Sequence, residues 1–211
     1  MFERFRQNSL WIFLAAEAAL YLSILLAGFG RFPAIVLCFL FALLQKPKSL
    51  ITAALFFTVL ADLCLVVFDP IQRLWGMVFF SAVQILYAIY LHRGRMLLSI
   101  RLILIVAAEM ITILVLRKDT DALALVSLFY YANLIMNLVC AFMANHKRMG
   151  IAFILFLLCD TVIGLQVMGA LYLPIAEGSL LHAILRPGFD LAWFFYLPSQ
   201  VLLSLENKQT R

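Results

Sequence analysis

Residues 49–68 read Ser49-Leu-Ile-Thr-Ala-Ala-Leu-Phe-Phe-Thr-Val-Leu-Ala-Asp62-Leu-Cys-Leu-Val-Val-Phe68, an unbroken apolar run whose one charge is Asp62. Crossing bilayer hydrocarbon takes about 20 mostly apolar residues, so a run of this length reads as a transmembrane helix. A lone carboxylate inside such a helix has neither water nor an obvious counter-ion, and an ionisable group at that depth marks a functional site by default. A second apolar run carries the same device, Phe156-Leu-Leu-Cys-Asp160-Thr-Val-Ile-Gly164.

The surroundings of the two aspartates also match. After Asp62 comes Phe80-Ser-Ala-Val-Gln84-Ile-Leu, and after Asp160 comes Tyr196-Leu-Pro-Ser-Gln200-Val-Leu. Before them, glutamates follow paired alanines at Ala15-Ala16-Glu17 and Ala107-Ala108-Glu109. The order Glu, Asp, Gln therefore occurs twice along the chain.

Composition agrees with a membrane reading throughout. Hydrophobic residues make up 66% of the 211, charged residues 13%, and the mean hydropathy is +1.07; no water-soluble domain of this size could cover that interior with polar surface. Charges, prolines and glycines divide the chain into eight candidate spans near 8–29, 32–45, 49–68, 72–91, 98–116, 122–144, 149–169 and 188–206. The first is too long for a signal-peptide core and lacks a small-residue cleavage site, so it is expected to be retained. The tails and most loops are short, and the 170–187 connection has the length of a lid or interfacial helix. The whole of 1–211 reads as a single transmembrane domain.

Basic residues collect on the cytoplasmic side of membrane proteins. With the N-terminus inside, the inner segments hold Arg4, Arg6, Lys46, Lys48, Arg93, Arg95, Arg101, Lys147, Arg148, Lys208 and Arg211, against Arg31, Arg73, Arg117, Lys118 and Arg186 outside. That asymmetry predicts N-in, C-in topology and an even number of spans. It also accounts for the net charge of +5 through topology and anionic lipid headgroups, without nucleic acid. Cys38, Cys64, Cys140 and Cys159 lie within spans without paired spacing and read as small packing residues. His92, His146 and His182 fall at helix ends or in loops, so no helix offers a histidine pair for a membrane zinc hydrolase; no metal or other cofactor is expected.

At about 1.5 Å per residue, Glu17, Gln84, Glu109, Asn133, Asn137, Asp160, Tyr196 and Gln200 fall in the middle third of their spans, with Asp62 nearer the outer end. Two halves that each begin and end inside, about 1–95 and 96–211, would run parallel as four-helix repeats. A pseudo-two-fold axis along the membrane normal would then bring the paired residues together. Polar groups in hydrocarbon need partners or a wet cavity, so a central polar cavity is expected. Glu17, Glu109, Asn133 and Asn137 fit either that site or interhelical hydrogen bonding. Tyr87, close to one turn from Gln84, fits either the pocket or the packing around it. Tyr130, Tyr131, Trp75 and Trp193 read as packing or interfacial aromatics. Asp62 and Asp160 are the residues for which packing alone is the weakest account, because burying two carboxylates is costly.

Ala61-Asp62, Gly76-Met-Val-Phe79-Phe80 leading to Gln84-Ile-Leu-Tyr87, Cys159-Asp160, and Phe195-Tyr196-Leu-Pro-Ser-Gln200-Val-Leu together resemble the lysoplasmalogenase family of YhhN-like membrane proteins. The family pattern has Gly-Asp at a helix middle, Gly-x-x-x-Phe leading to His-x-x-Tyr, then Ser-Asp, and Tyr-Tyr-x-x-Gln-x-Leu. The resemblance covers about residues 50–92 and 122–206. Ala61, Cys159 and Gln84 stand where the family has Gly, Ser and His, and Gln84 cannot shuttle a proton near pH 7.

The resemblance implies an eight-helix membrane hydrolase that splits the vinyl ether of a lysoplasmalogen into a fatty aldehyde and glycerophosphoethanolamine or glycerophosphocholine. Its substrate would be a lysophospholipid within the bilayer, probed among the other membrane lipids, and the small loops suggest a bacterial cell membrane. The residues suit that chemistry on their own terms. Vinyl ether hydrolysis starts with proton transfer to the alkene carbon, passes through an oxocarbenium-like cation, and ends when a water adduct collapses. Paired carboxyls can divide those tasks, one protonated as the acid and one ionised to stabilise the cation and activate water. Asp62 and Asp160 are the candidate catalytic pair, with Gln84, Tyr87, Asn137, Tyr196 and Gln200 as candidate substrate contacts. Parallel repeats with midplane carboxylates also describe proton-coupled transporters, and a lysolipid-binding protein without turnover would share the same residues.

Overall fold

A computed structural model of the chain describes residues 2–68, 72–91, 105–107, 110–111, 121–171 and 188–206. Among them all regular structure is helical: α1 Phe2–Ala27, α2 Arg31–Gln45, α3 Leu50–Asp62, a π-helical turn Leu63–Val67, α4 Arg73–Leu91, α5 Ala122–Met143, α6 Lys147–Leu171 and α7 Leu191–Glu206. Five stretches are long and apolar enough to cross a membrane, namely Asn8–Ala27, Leu50–Val67, Arg73–Leu91, Ala122–Met143 and Lys147–Gln166, and α2 is a shorter apolar helix. The architecture is all-helical and consistent with an integral membrane protein. Most of the expected fifth span, 98–116, and Glu109 within it lie outside the described residues, as does most of the 170–187 connection.

The helix ends follow from their residues. Ser49 caps α3 by accepting from Ile51 N at 3.1 Å, and Asp121 caps α5 by accepting from Ala124 N at 2.7 Å; each satisfies a backbone donor that the first turn leaves free. The short turn from α5 to α6 puts Asn145 at φ 60 while His146 N reaches back to Ala141 O at 2.8 Å. This is a left-handed cap, a conformation asparagine tolerates better than most side chains.

Pro198 sits inside α7 and has no N–H to offer the carbonyl four residues earlier, that of Phe194. The Tyr21 hydroxyl of α1 donates to that carbonyl at 3.1 Å instead. An unpaired carbonyl at membrane depth costs several kcal/mol, so the proline and the tyrosine tie α7 to α1.

Packing runs α2 to α3 to α4 to α5 to α6 to α7, and α7 closes the bundle against α1, α2 and α3. Ile35, Leu55, Tyr87, Phe153, Phe156 and Leu197 lie in the shared core. The outside is apolar as well: Trp11, Leu22, Ile89, Phe142 and Ile151 are all exposed, as lipid-facing residues are. Buried polar side chains gather inside, including Glu17, Asp62, Gln84, Asn133, Asn137 and Gln200.

The chain around Asp62 departs from a regular helix. Asp62 is the last residue of α3, and the next five residues form a wider turn in which Phe68 N bonds to Leu63 O at 3.1 Å. Isolated π-helical turns of this kind are frequent beside functional residues. Gly76 of α4 makes room for it, because a β-carbon there would stand 2.5 Å from Leu65 Cγ.

Candidate active site

Asp62 and Asp160 reach the interior from α3 and α6, and each is held by a tyrosine hydroxyl from a neighbouring helix. Tyr196 of α7 donates to Asp62 Oδ2 at 2.6 Å. Tyr130 of α5 donates to Asp160 Oδ2. Asp62 is buried, whereas Asp160 is half-buried. Aromatic rings link the two halves of the site: Phe80 of α4 lies 5.6 Å from Tyr130 and 6.4 Å from Tyr196, and Phe156 of α6 lies 6.2 Å and 5.4 Å from the same two rings. Both tyrosines are therefore packed into fixed positions, and a hydrogen bond to a charged acceptor is among the stronger that a protein makes.

Gln84 and Asn137 are brought to each other rather than to the aspartates. Asn137 Nδ2 donates to Gln84 Oε1 at 2.7 Å and to the Gln84 carbonyl at 2.9 Å, and Gln84 Nε2 has no acceptor among the described residues. Tyr87, with its ring edge-on to Phe153 at 5.4 Å, has a buried hydroxyl with no partner among the described residues. Gln200 approaches its neighbour Ser199 Oγ at 3.5 Å, a weak contact, and among the described residues its Oε1 has no donor. Glu17 accepts from the Cys38 thiol of α2 at 3.3 Å through Oε1, while Oε2 has no donor among the described residues. Asn133 Nδ2 bonds back to the Phe129 carbonyl of its own helix at 2.8 Å. Buried donors and acceptors left open in this way hold a bound ligand or water in most proteins.

Between α4 and α5 lies an open groove of about 300 Å³ lined by Val78, Ser81, Leu125, Val126 and Phe129. Ser81 adjoins Phe80 and Phe129 adjoins Tyr130, so the groove runs next to the aromatic cluster. Ser81 turns its hydroxyl onto the Met77 carbonyl at 2.8 Å, which leaves the lining apolar. Among the described residues no three His, Cys, Asp or Glu side chains are grouped as a metal site requires.

Three residues read from the sequence as packing or interfacial groups make polar contacts. Tyr130 holds Asp160, although it read as a packing aromatic. The signal was present in its spacing: Tyr130, Asn133 and Asn137 recur at i, i+3 and i+7, one stripe of a helix, and all three are buried. Cys38 read as a small apolar residue and instead donates to Glu17. Tyr131, from the same group of aromatics, shares a hydrogen bond with Thr161 Oγ1 at 3.0 Å.

At the end of the bundle where α2 and α7 begin, Asp190 has two tasks. Its Oδ1 caps α7 by accepting from Trp193 N at 3.2 Å, and its Oδ2 pairs with Arg31 Nη2 at 2.6 Å. Arg31 also stands over the Trp193 ring, 5.9 Å from its centroid, and Trp193 packs edge-on against Tyr196 at 5.0 Å. The partner of Asp62 is thus positioned from the rim of the bundle.

A family model described as the YhhN family matches residues 23–206. The chain belongs to the YhhN family. The match takes in every described helix except most of α1, and with it Asp62, Gln84, Tyr130, Asn137, Asp160, Tyr196 and Gln200. No curated protein matches the chain, and no solved structure does. Within this YhhN chain, the interior polar residues come from all seven described helices: Glu17, Cys38, Asp62, Gln84, Tyr130, Asp160 and Tyr196 from α1 to α7 in turn.

Proposed function

We propose that this YhhN protein hydrolyses the vinyl ether bond of lysoplasmalogens, releasing a fatty aldehyde and the glycerophospho-headgroup. The observation that carries the reading is the pair of interior carboxylates, each fixed by a tyrosine hydroxyl and joined through one aromatic cluster. Asp62 and Asp160 are the catalytic pair. The protonated one delivers its proton to the β-carbon of the alkene, and the electron pair of the double bond forms the new C–H bond. Positive charge then builds on the α-carbon and ether oxygen, beside the ionised partner and the faces of Phe80 and Phe156. The ionised carboxylate takes a proton from water as the water oxygen bonds to the α-carbon. The resulting hemiacetal breaks its bond to the glycerol oxygen, which leaves with a proton, and the aldehyde departs. One carboxyl gives up a proton and the other gains one, so an exchange with water restores the starting state; general acid–base help of this kind contributes about 10²–10⁴-fold per group.

Tyr196 and Tyr130 orient the two carboxylates. The open polar atoms of Gln84, Tyr87 and Gln200 are suited to water and to the ether oxygen. The apolar groove between α4 and α5 suits the alkenyl chain of a lysophospholipid that enters from the bilayer. The proposal includes eight spans with both termini inside. It also includes two parallel repeats, and the helix neighbours support them: α2 lies on α3 as α5 lies on α6, and α3 on α4 as α6 on α7.

The test is aldehyde release from a lysoplasmalogen by detergent-purified protein, coupled to an aldehyde-reducing enzyme. Turnover that scales with protein supports the hydrolase. Binding without aldehyde would make the same site a lysolipid receptor, and proton-coupled lysolipid uptake into vesicles would make it a carrier.

A further inference from the structure

Arg31, Asp190 and Trp193 form a charged and aromatic cluster that the proposed chemistry does not use. It sits at the rim where α2 and α7 begin, with the Arg31 and Asp190 side chains 38% and 26% exposed. Its contacts are incomplete in one respect: among the described residues Arg31 Nε has no acceptor, and Asp190 engages only Nη2. A guanidinium presents its donors as a rigid fork matched to phosphate oxygens, and the 38% exposure of the Arg31 side chain lets an anion reach that fork. The Trp193 ring has Arg31 itself over one face, and Asp190 is the adjoining negative charge.

The placement fits the site below. Trp193 and Tyr196 are three residues apart on α7, about 4.5 Å along the helix axis, and their rings touch. Tyr196 holds Asp62. We infer that Arg31, Asp190 and Trp193 form the site that reads the substrate headgroup, with phosphate on Arg31 and the headgroup ammonium against Asp190. An ion pair on the protein thereby meets the complementary ion pair of a zwitterionic phosphodiester. This rests on the lysolipid reading of the interior site but assigns headgroup selectivity to residues outside the catalytic pair.

The test is binding, without turnover, of alkyl-ether lysolipids that lack the vinyl group, using the full chain in nanodiscs. Four ligands are compared: phosphocholine, phosphoethanolamine, phosphate monoester, and a monoalkylglycerol with no headgroup. Arg31→Gln should weaken all three phosphate-bearing ligands by at least about tenfold, the loss expected when a charge-assisted hydrogen bond is removed, and leave the monoalkylglycerol unchanged. Arg31→Lys, which keeps the charge without the fork, should fall between. Asp190→Asn still caps α7, since asparagine is a good N-cap, and should abolish the preference for zwitterionic over phosphate-monoester ligand. The proposal is overturned if the variants bind all four ligands like the parent, or if they weaken the headgroup-free ligand equally, which would make the cluster a clamp between helices. Because no turnover is read, selective binding here would leave the headgroup site standing even where the separate lysoplasmalogen assay yields no aldehyde and refutes the hydrolase.

Discussion

The two aspartates are solved differently by residues that occupy matching places. In the repeated phrases Phe80-Ser-Ala-Val-Gln84 and Tyr196-Leu-Pro-Ser-Gln200, the phenylalanine has no hydroxyl to offer and the tyrosine does. Asp62 accordingly takes Tyr196, while Asp160 takes Tyr130 from the helix alongside. Tyr196→Phe would leave a buried carboxylate oxygen without its donor, at a cost of about 1–3 kcal/mol. Thermal unfolding in detergent should register that loss, and aldehyde release should fall with it. Tyr130→Phe should destabilise less, because Asp160 is half-buried and water can replace the hydroxyl; equal losses for the two variants would contradict this asymmetry. The aspartates and Tyr196 were legible in the sequence because a polar residue in an apolar run is conspicuous. Tyr130 was not singled out because tyrosine is at home both in cores and at membrane interfaces, and only its register with Asn133 and Asn137 separates the cases. The pairing of Gln84 with Asn137 was not legible at all, since it depends on which helices are neighbours.

At the level of elements, the unforeseen feature is the π-helical turn after Asp62. Residues 49–68 contain no glycine or proline, and a uniformly apolar run carries no mark of where one hydrogen-bond register gives way to another. The sign lay on the next helix, at Gly76, where the bulging turn places Leu65. Gly76→Ala should push its new methyl group into Leu65 and destabilise the protein by about 1–3 kcal/mol, as overpacking does. The double variant Gly76→Ala with Leu65→Ala should recover part of that loss relative to Leu65→Ala alone. Additive effects, measured as unfolding temperatures, would show that glycine is not there for the turn. Pro198 teaches the complementary lesson. A proline in an apolar helix announces a freed carbonyl, but only the structure shows Tyr21 answering it.

For the whole molecule, an all-helical chain with long apolar helices was legible in the sequence, because composition and span length decide it. The sequence could not convey which helices touch. Lipid-facing and protein-facing surfaces are equally apolar, so no amphipathic stripe separates them, and the polar residues alone mark the inside. The proposed topology makes a direct prediction from the excess of inner basic residues: single cysteines introduced at either terminus should react with an impermeant reagent only after the membrane is opened, and labelling of either terminus in intact cells would contradict it. The claim on which the rest depends is that the two interior carboxylates do the chemistry, and it is tested most directly by aldehyde release from a lysoplasmalogen by purified Asp62→Asn and Asp160→Asn proteins. Asparagine keeps the shape of aspartate but neither gives nor takes the catalytic proton, so each variant should fold, bind lysolipid, and lose at least about 10²-fold in turnover; normal turnover by both variants would contradict the account and return the pair to a structural or transport role.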